Sequence, residues 1–553
     1  MTARSGKHKR EWQARRWALA AAFLLIVLAA GCDAWGEPTP SRTPAVSPVP
    51  TATATSPAPT PTPSSTPAPT PTPASPSPFS ALPLEPQGHA EVMIPGAVQY
   101  LDGLQDAPRY QIAASFDPES LTLRGTERVR AVNRWNQPLS DIYFRLYPNA
   151  GRLYGPAKMD LASITDDWGA ALSWSAAESD PSVVRVELPA EWKPGEALLL
   201  NLTWTALVPT DETRSWTRDD GYGIFREAND VTVLAEWFPM LSMRDDSGWR
   251  LDSVPVWGDP ASTEIAFYEV WITAPSPYTV IATGSEVSHN DSAGDSTRRY
   301  LSGPVRDFFL AFSPDLWAET ATVGDTVIRS YAFTEHAQGG GAALAAGAEA
   351  IELFNRYFGV YPYRELDVLE TPLIGLLGME YPGVTLLASA IYTRDQAWRL
   401  DVTTAHEVAH QWWYGVVGND ILQEPWLDEA LATWSSGLYV EKIMGQDAFQ
   451  AQYEQWVVRY ESGEGNGTVG AVTWPVEQFR NSWDYVTTTY YKGAIALKIL
   501  RNEIGDNPFF GALRRHYEES RFGESTGQRM LDLFEQESGR DLDAFFREWF
   551  FSE

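Results

Sequence analysis

The segment Thr403-Thr404-Ala405-His406-Glu407-Val408-Ala409-His410-Gln411-Trp412-Trp413 decides how the rest of the chain is read. Residues four apart lie one above the other on an α-helix, so His406 and His410 can aim two imidazoles at one cation while Glu407 sits beside it as a base. Two ligands do not complete a catalytic metal site, which takes three protein ligands and keeps a position for water. Downstream, Glu424-Pro425-Trp426-Leu427-Asp428-Glu429-Ala430-Leu431-Ala432-Thr433-Trp434 opens a second helix, with Pro425 suited to its first turn. Leu427, Leu431, Trp434 and Leu438 form its apolar stripe and leave Glu429 on another flank. On the residues alone, Glu429 is either a solvated helix acid or a third ligand turned toward the metal.

His406-Glu407-x-x-His410 followed by Glu429 resembles the gluzincin peptidases of the aminopeptidase N and leukotriene hydrolase family. His410-Gln411-Trp412-Trp413-Tyr414-Gly415 and Trp426-Leu427-Asp428-Glu429-Ala430 look like that family's segments around the second histidine and the third ligand, with Asp428 where asparagine is common. Leu377-Gly378-Met379-Glu380-Tyr381-Pro382-Gly383 resembles its G-x-M-E-N segment, whose glutamate holds the substrate's free amino group. Leu377 replaces the leading glycine and Tyr381 the asparagine; read alone, the segment could be a turn at a strand end. Tyr490-Tyr491-Lys492-Gly493-Ala494 resembles the family's Y-x-K-G-A segment, whose first tyrosine bonds the oxyanion, although a tyrosine opening a helix is also an ordinary packing residue.

The resemblance implies one zinc ion per chain held by His406, His410 and Glu429, with Glu407 as general base and Tyr490 as oxyanion donor. It also implies substrate contacts from Gly378, Met379 and Glu380. The implied activity is that of a zinc-dependent aminopeptidase acting on peptides. The family glutamine that helps fix the substrate amine has no clear match before Glu236-Trp237-Phe238-Pro239. An oligo- or endopeptidase indifferent to the amino terminus, and a catalytically silent peptide-binding lipoprotein, therefore stand as alternatives. Pro304-Val305-Arg306-Asp307-Phe308-Phe309 and the closing Phe545-Phe546-Arg547-Glu548-Trp549 also look family-like.

Outward from this centre the hydrophobic period changes. Residues 88–317 are mostly of period two, as in Leu121 to Val132 and Glu264 to Ile272, punctuated by turn residues, which predicts an antiparallel β domain. Its histidines, His89 and His289, stand alone among turn residues and are expected to be solvated. Residues 318–553 are expected to be mainly helical, with helices over 341–358, 401–417, 427–445, 488–504 and 507–519 and one closing the chain. The expected fold class is α+β: a β domain, saddle-like by the resemblance, followed by a thermolysin-like catalytic domain.

The chain has 553 residues, 44% of them hydrophobic, enough for more than one core. Its net charge of −30 leaves no basic surface for a phosphate backbone, so no nucleic-acid partner is expected. The one cysteine, Cys32, excludes an intramolecular disulfide and a thiolate-rich metal site. Residues 1–32 carry a basic start, the uncharged run WALAAAFLLIVLAA from Trp17 to Ala30, and then Gly31-Cys32. This resembles a bacterial lipoprotein signal, with lipid on Cys32 and an extracytoplasmic, membrane-anchored place in the cell envelope. Residues 33–87 are rich in Pro, Thr, Ser and Ala and cannot build a core. As a polyproline-like tether they could reach on the order of 100 Å.

Overall fold

A computed structural model describes residues 85–210 and 221–552. The expected signal segment, Cys32 and nearly all of the tether lie outside these residues.

Alternation builds the first half. The hairpin Arg109–Asp117 and Thr122–Val132 continues into a seven-stranded sheet with Ala197–Leu207 and Lys158–Asp166 on one side. Phe267–Pro275, Asp295–Leu301 and Ser285–Asp291 complete it on the other. Every neighbour is antiparallel except the pair Arg109↔Phe267 to Ser115↔Thr273. Two four-stranded sheets accompany it, one centred on Leu139–Arg145 and Val183–Trp192, the other on Leu310–Ser313 and Val231–Leu234. Inward-facing aromatics join the layers: Trp204, Trp237, Phe238, Tyr268 and Phe308 form a chain of edge-to-face and tilted ring contacts. Gly125 lies opposite Trp204 in the register, and a Cβ there would come within 2.2 Å of the indole, so the bare glycine lets the ring lie across its own strand partner.

His289 is exposed beside Glu286. His89 is not solvated as its turn-like flanks suggested. The short 3₁₀ segment Pro86–Val92 lays it into the interior, where its Nδ1 meets the Ser302 carbonyl at 2.7 Å and its ring packs on Phe267. Burial pushes its pKa down to about 4, so this imidazole is neutral.

The second half opens with strands. The change of period at 318 falls inside Trp317–Val323, the edge of a five-stranded sheet ordered Trp317–Val323, Thr326–Ala332, Glu365–Thr371, Val384–Ala388, Gly378–Tyr381. These strands, the last three of them heavily buried, were not anticipated by the helical reading. Helix Ala337–Tyr357 covers the sheet through Leu344, Ile351 and Phe354, and Gly340 lets it approach so closely that a Cβ would meet the Trp317 ring at 2.4 Å. Helices Ala397–Ala409, Trp426–Tyr439, Gly493–Ile504, Asp506–Ser520 and Asp543–Trp549 fall near where expected, with different bounds. Gln446–Gly465 and Gly527–Ser538 are further helices that the sequence reading did not find. The architecture is α+β, a β-sheet region followed by a helical catalytic region. Among the described residues no helix is long and apolar enough to cross a membrane.

Candidate metal centre

Helix Ala397–Ala409 runs from the five-stranded sheet into the interior and ends as His410 begins a turn. The i, i+4 spacing brings the two imidazoles together, with Nε2 of His406 3.2 Å from Nε2 of His410. Glu429, on the adjacent helix Trp426–Tyr439, reaches them with one oxygen: Oε2 lies 3.3 Å from His406 Nε2 and 3.5 Å from His410 Nε2. Every residue of that second helix is buried, so Glu429 is not a solvated helix acid.

These distances fit a tetrahedral cation. Zinc bonds of about 2.0–2.2 Å at tetrahedral angles place ligand atoms roughly 3.3–3.6 Å apart. The Glu429 Oε2 atom is buried and has no hydrogen-bond partner. A carboxylate oxygen left bare in a dry interior is costly unless it faces a cation. His410 Nδ1 lies 3.1 Å from the Trp413 carbonyl, and donation there leaves Nε2 as the free lone pair, the tautomer a metal requires. The residues present fit zinc.

Around this triad the structure gathers further acids. Glu407 is buried, and desolvation pushes its carboxyl up to about 8. Gly378 lies against it: a Cβ there would sit 2.2 Å from Glu407 Oε1, so the glycine clears the space the carboxylate occupies. Strand alternation puts Glu380 on the same face as Gly378, with a carboxyl oxygen 4.0 Å from His410 Nδ1. Burial pushes Glu380 up to about 8 as well, reinforced by the neighbouring Glu407 and Glu429 charges and opposed by His410. Met379 faces the other way, into the hydrophobic core. Glu429 moves in the opposite direction: against its desolvation, the two facing imidazoles hold its carboxyl at about 2.

Tyr490 lies in a single π-helical turn, Thr487–Lys492, that precedes helix Gly493–Ile504. Its ring stacks on His406 at 5.8 Å between centroids, and its hydroxyl donates to Glu429 Oε1. Seven of the eight candidate residues of this region therefore come to one locality, and the eighth, Met379, points away from it into the core.

Two acids of the β region, which carried no signal in the sequence, also belong to this locality. Asp259 is buried, its carboxyl is raised by desolvation and by the nearby Glu380 and Glu429 charges, and its Oδ2 has no partner. Glu236 is buried at a backbone φ of +43°, accepts a hydrogen bond of 2.9 Å from the Tyr154 hydroxyl, and has its carboxyl raised by burial and by the charges of Asp307, Asp259 and Glu380. A buried non-glycine residue in that conformation marks a strained backbone of the kind that gathers at functional sites.

Residues 342–549 match the family model described as Peptidase family M1 domain. The chain is similar to aminopeptidase M1-B of Oryza sativa subsp. japonica, at 24% identity over 317 residues, 53% of this chain and 35% of that protein. It is also similar to aminopeptidase N of Streptomyces lividans, at 26% over 200 residues, 34% of this chain and 23% of that protein. The chain thus spans about a quarter to a third of the length of these curated relatives. In fold it resembles the crystal structure of an M1 zinc metallopeptidase from Deinococcus radiodurans, with a TM-score of 0.60 at 20% identity, covering 81% of this chain and 94% of that one. A mutant of that Deinococcus enzyme has been crystallised with a Tyr-Ser-Ala substrate, and its fold matches at a TM-score of 0.59 and 20% identity over 81% of this chain and 95% of that one.

The purified protein is expected to carry about one zinc per chain, and His410→Ala to lose most of it while keeping its helical content. Elemental analysis checks both, and equal zinc in the two proteins would remove His410 from the ligand set.

Proposed function

We propose that this chain, a member of the M1 peptidase family through its domain at residues 342–549, is a zinc-dependent aminopeptidase that removes N-terminal residues from peptides. The observation that carries the exopeptidase reading is the buried Glu380 beside the triad, with a carboxyl oxygen 4.0 Å from His410 Nδ1 and the buried Asp259 near enough to feel its charge. Two neighbouring buried carboxyls repel when both are ionised, and among the described residues the one ion-pair partner of Glu380 is His410. A substrate ammonium supplies the missing cation and three N–H donors. The peptide seen with the Deinococcus enzyme supports peptides as the substrate class. An endopeptidase would have no use for such an acidic pair at this position.

When held by the triad, zinc would polarise the scissile carbonyl and lower the pKa of a bound water. Glu407 takes the proton from the attacking water and returns it to the leaving amine, a transfer suited to a carboxyl with a raised pKa. The Tyr490 hydroxyl, already directed at the ligand cluster, swings from Glu429 Oε1 to the oxygen that gains negative charge. Glu380 and Asp259 fix the amino terminus, so that the first peptide bond is the one presented to Glu407.

Glu407→Gln should retain zinc and fold and lose about 100-fold or more of its turnover, while Tyr490→Phe should lose about 100- to 1000-fold. Near-normal rates on aminoacyl amides would reject either role. Glu380→Ala should weaken cleavage of free-amine substrates by about 1.5–3 kcal/mol and leave N-acetylated ones unaffected. If the wild type cleaves blocked and free peptides equally well, the amine site is disproved and the endopeptidase alternative takes its place.

We also propose, from the sequence of residues 1–87, that the enzyme is tethered outside the cytoplasm by lipid on Cys32. Cys32→Ser should then leave the membrane fraction, and its retention there with an unchanged amino terminus would rule the anchor out.

A further inference from the structure

His410 is a metal ligand placed just beyond the end of its helix, so the backbone that follows must hold it. The Trp413 carbonyl that receives Nδ1 is joined directly to Tyr414, whose φ of +104° is a conformation that side chains other than glycine rarely adopt. A residue in such a strained conformation persists only where its surroundings hold it. Here the Tyr414 N–H donates to the Val417 carbonyl at 2.8 Å, and the Tyr414 carbonyl accepts from Nε of Arg306 at 2.6 Å.

Arg306 comes from the β region and is buried. Its guanidinium spends its donors on three backbone carbonyls from three separate segments: Tyr414, Thr263 through Nη1 at 2.9 Å, and Gly523 through Nη2 at 2.7 Å. Among the described residues no carboxylate hydrogen-bonds it, and the adjacent Asp307 is buried with both oxygens unpaired. The chain beyond Tyr414 passes flush over the guanidinium, since a Cβ on Gly418 would lie 1.9 Å from Nη2. A planar fork can satisfy three carbonyls at fixed angles; a lysine ammonium on a flexible stem cannot reproduce that geometry.

We infer that Arg306 is a positioning residue for the metal ligand His410: by clamping the Tyr414 carbonyl it holds the strained turn that keeps the Trp413 carbonyl on His410 Nδ1. The metal centre is then completed by a side chain from the β region that touches neither metal nor substrate. Groups that orient a ligating histidine govern metal affinity, and their loss typically weakens it by about 10- to 100-fold. This inference rests on the reading of His406, His410 and Glu429 as zinc ligands.

The test is zinc affinity, measured by competition with a chromophoric chelator, alongside far-ultraviolet circular dichroism. Arg306→Lys should weaken zinc binding by about 10- to 100-fold with the fold retained. Gly418→Ala, which displaces the same guanidinium without removing its charge, should do the same and serves if the lysine variant does not fold. Tyr414→Gly removes the strain, because glycine accepts this φ. The double variant Arg306→Lys/Tyr414→Gly should therefore bind zinc as tightly as Tyr414→Gly alone, a rescue that a general packing role for Arg306 would not produce. Wild-type affinity in both Arg306→Lys and Gly418→Ala, or a double variant that is not rescued, overturns the inference. A wild type that binds no zinc would instead refute the ligand set itself.

Discussion

Everything at the centre of this protein depends on bringing three ligand atoms, two imidazole Nε2 and one carboxylate oxygen, to within 3.2–3.5 Å of one another in a dry interior. Lone pairs held that close repel, and a bare carboxylate oxygen without water is costly. The arrangement is stable only because helices Ala397–Ala409 and Trp426–Tyr439 are themselves fixed, the first against the sheet and the second by burial on every side. A cation at the point the three atoms face removes both penalties, so metal affinity and fold are parts of one constraint.

The same dryness separates the acids around the triad into two kinds. Glu429 faces both imidazoles and stays ionised, whereas at Glu407 and Glu380 desolvation outweighs the nearby His410 charge and raises the carboxyl. Neighbouring carboxyls whose environments push them apart can take different tasks, one as ligand and the others as proton carrier or amine receptor. Asp259 and Glu236 extend this acidic interior into the β region.

Irregular backbone collects at the same place. Tyr490 is presented from a π turn, Tyr414 and Glu236 hold positive φ, and Gly378 leaves out a side chain so that Glu407 can lie flat against the edge strand. Each is a local departure from regular geometry that regular neighbours sustain. The Arg306 guanidinium shows how: one rigid cation bound to three carbonyls fixes three otherwise independent segments.

The chemistry-bearing pair His406 and His410 was legible in the sequence because an i, i+4 relation is set by the helix alone, and so were the helices whose apolar residues recur at its period. Glu429, Glu380 and Tyr490 were legible through resemblance to a family, since nothing in their own spacing says what they face. The short buried strands of the catalytic region lack the polar alternation that exposes a strand to reading, and helix Gln446–Gly465 buries too few residues to show a clear stripe. His89, Asp259, Glu236 and Arg306 were invisible in their roles, because burial and convergence are properties of segments distant in sequence that meet only after folding. Residue order determined which groups could bind a metal and where helices could form. Tertiary structure decided which acids share the metal's dry surroundings, because desolvation depends on every neighbour at once and not on the next residue in the chain.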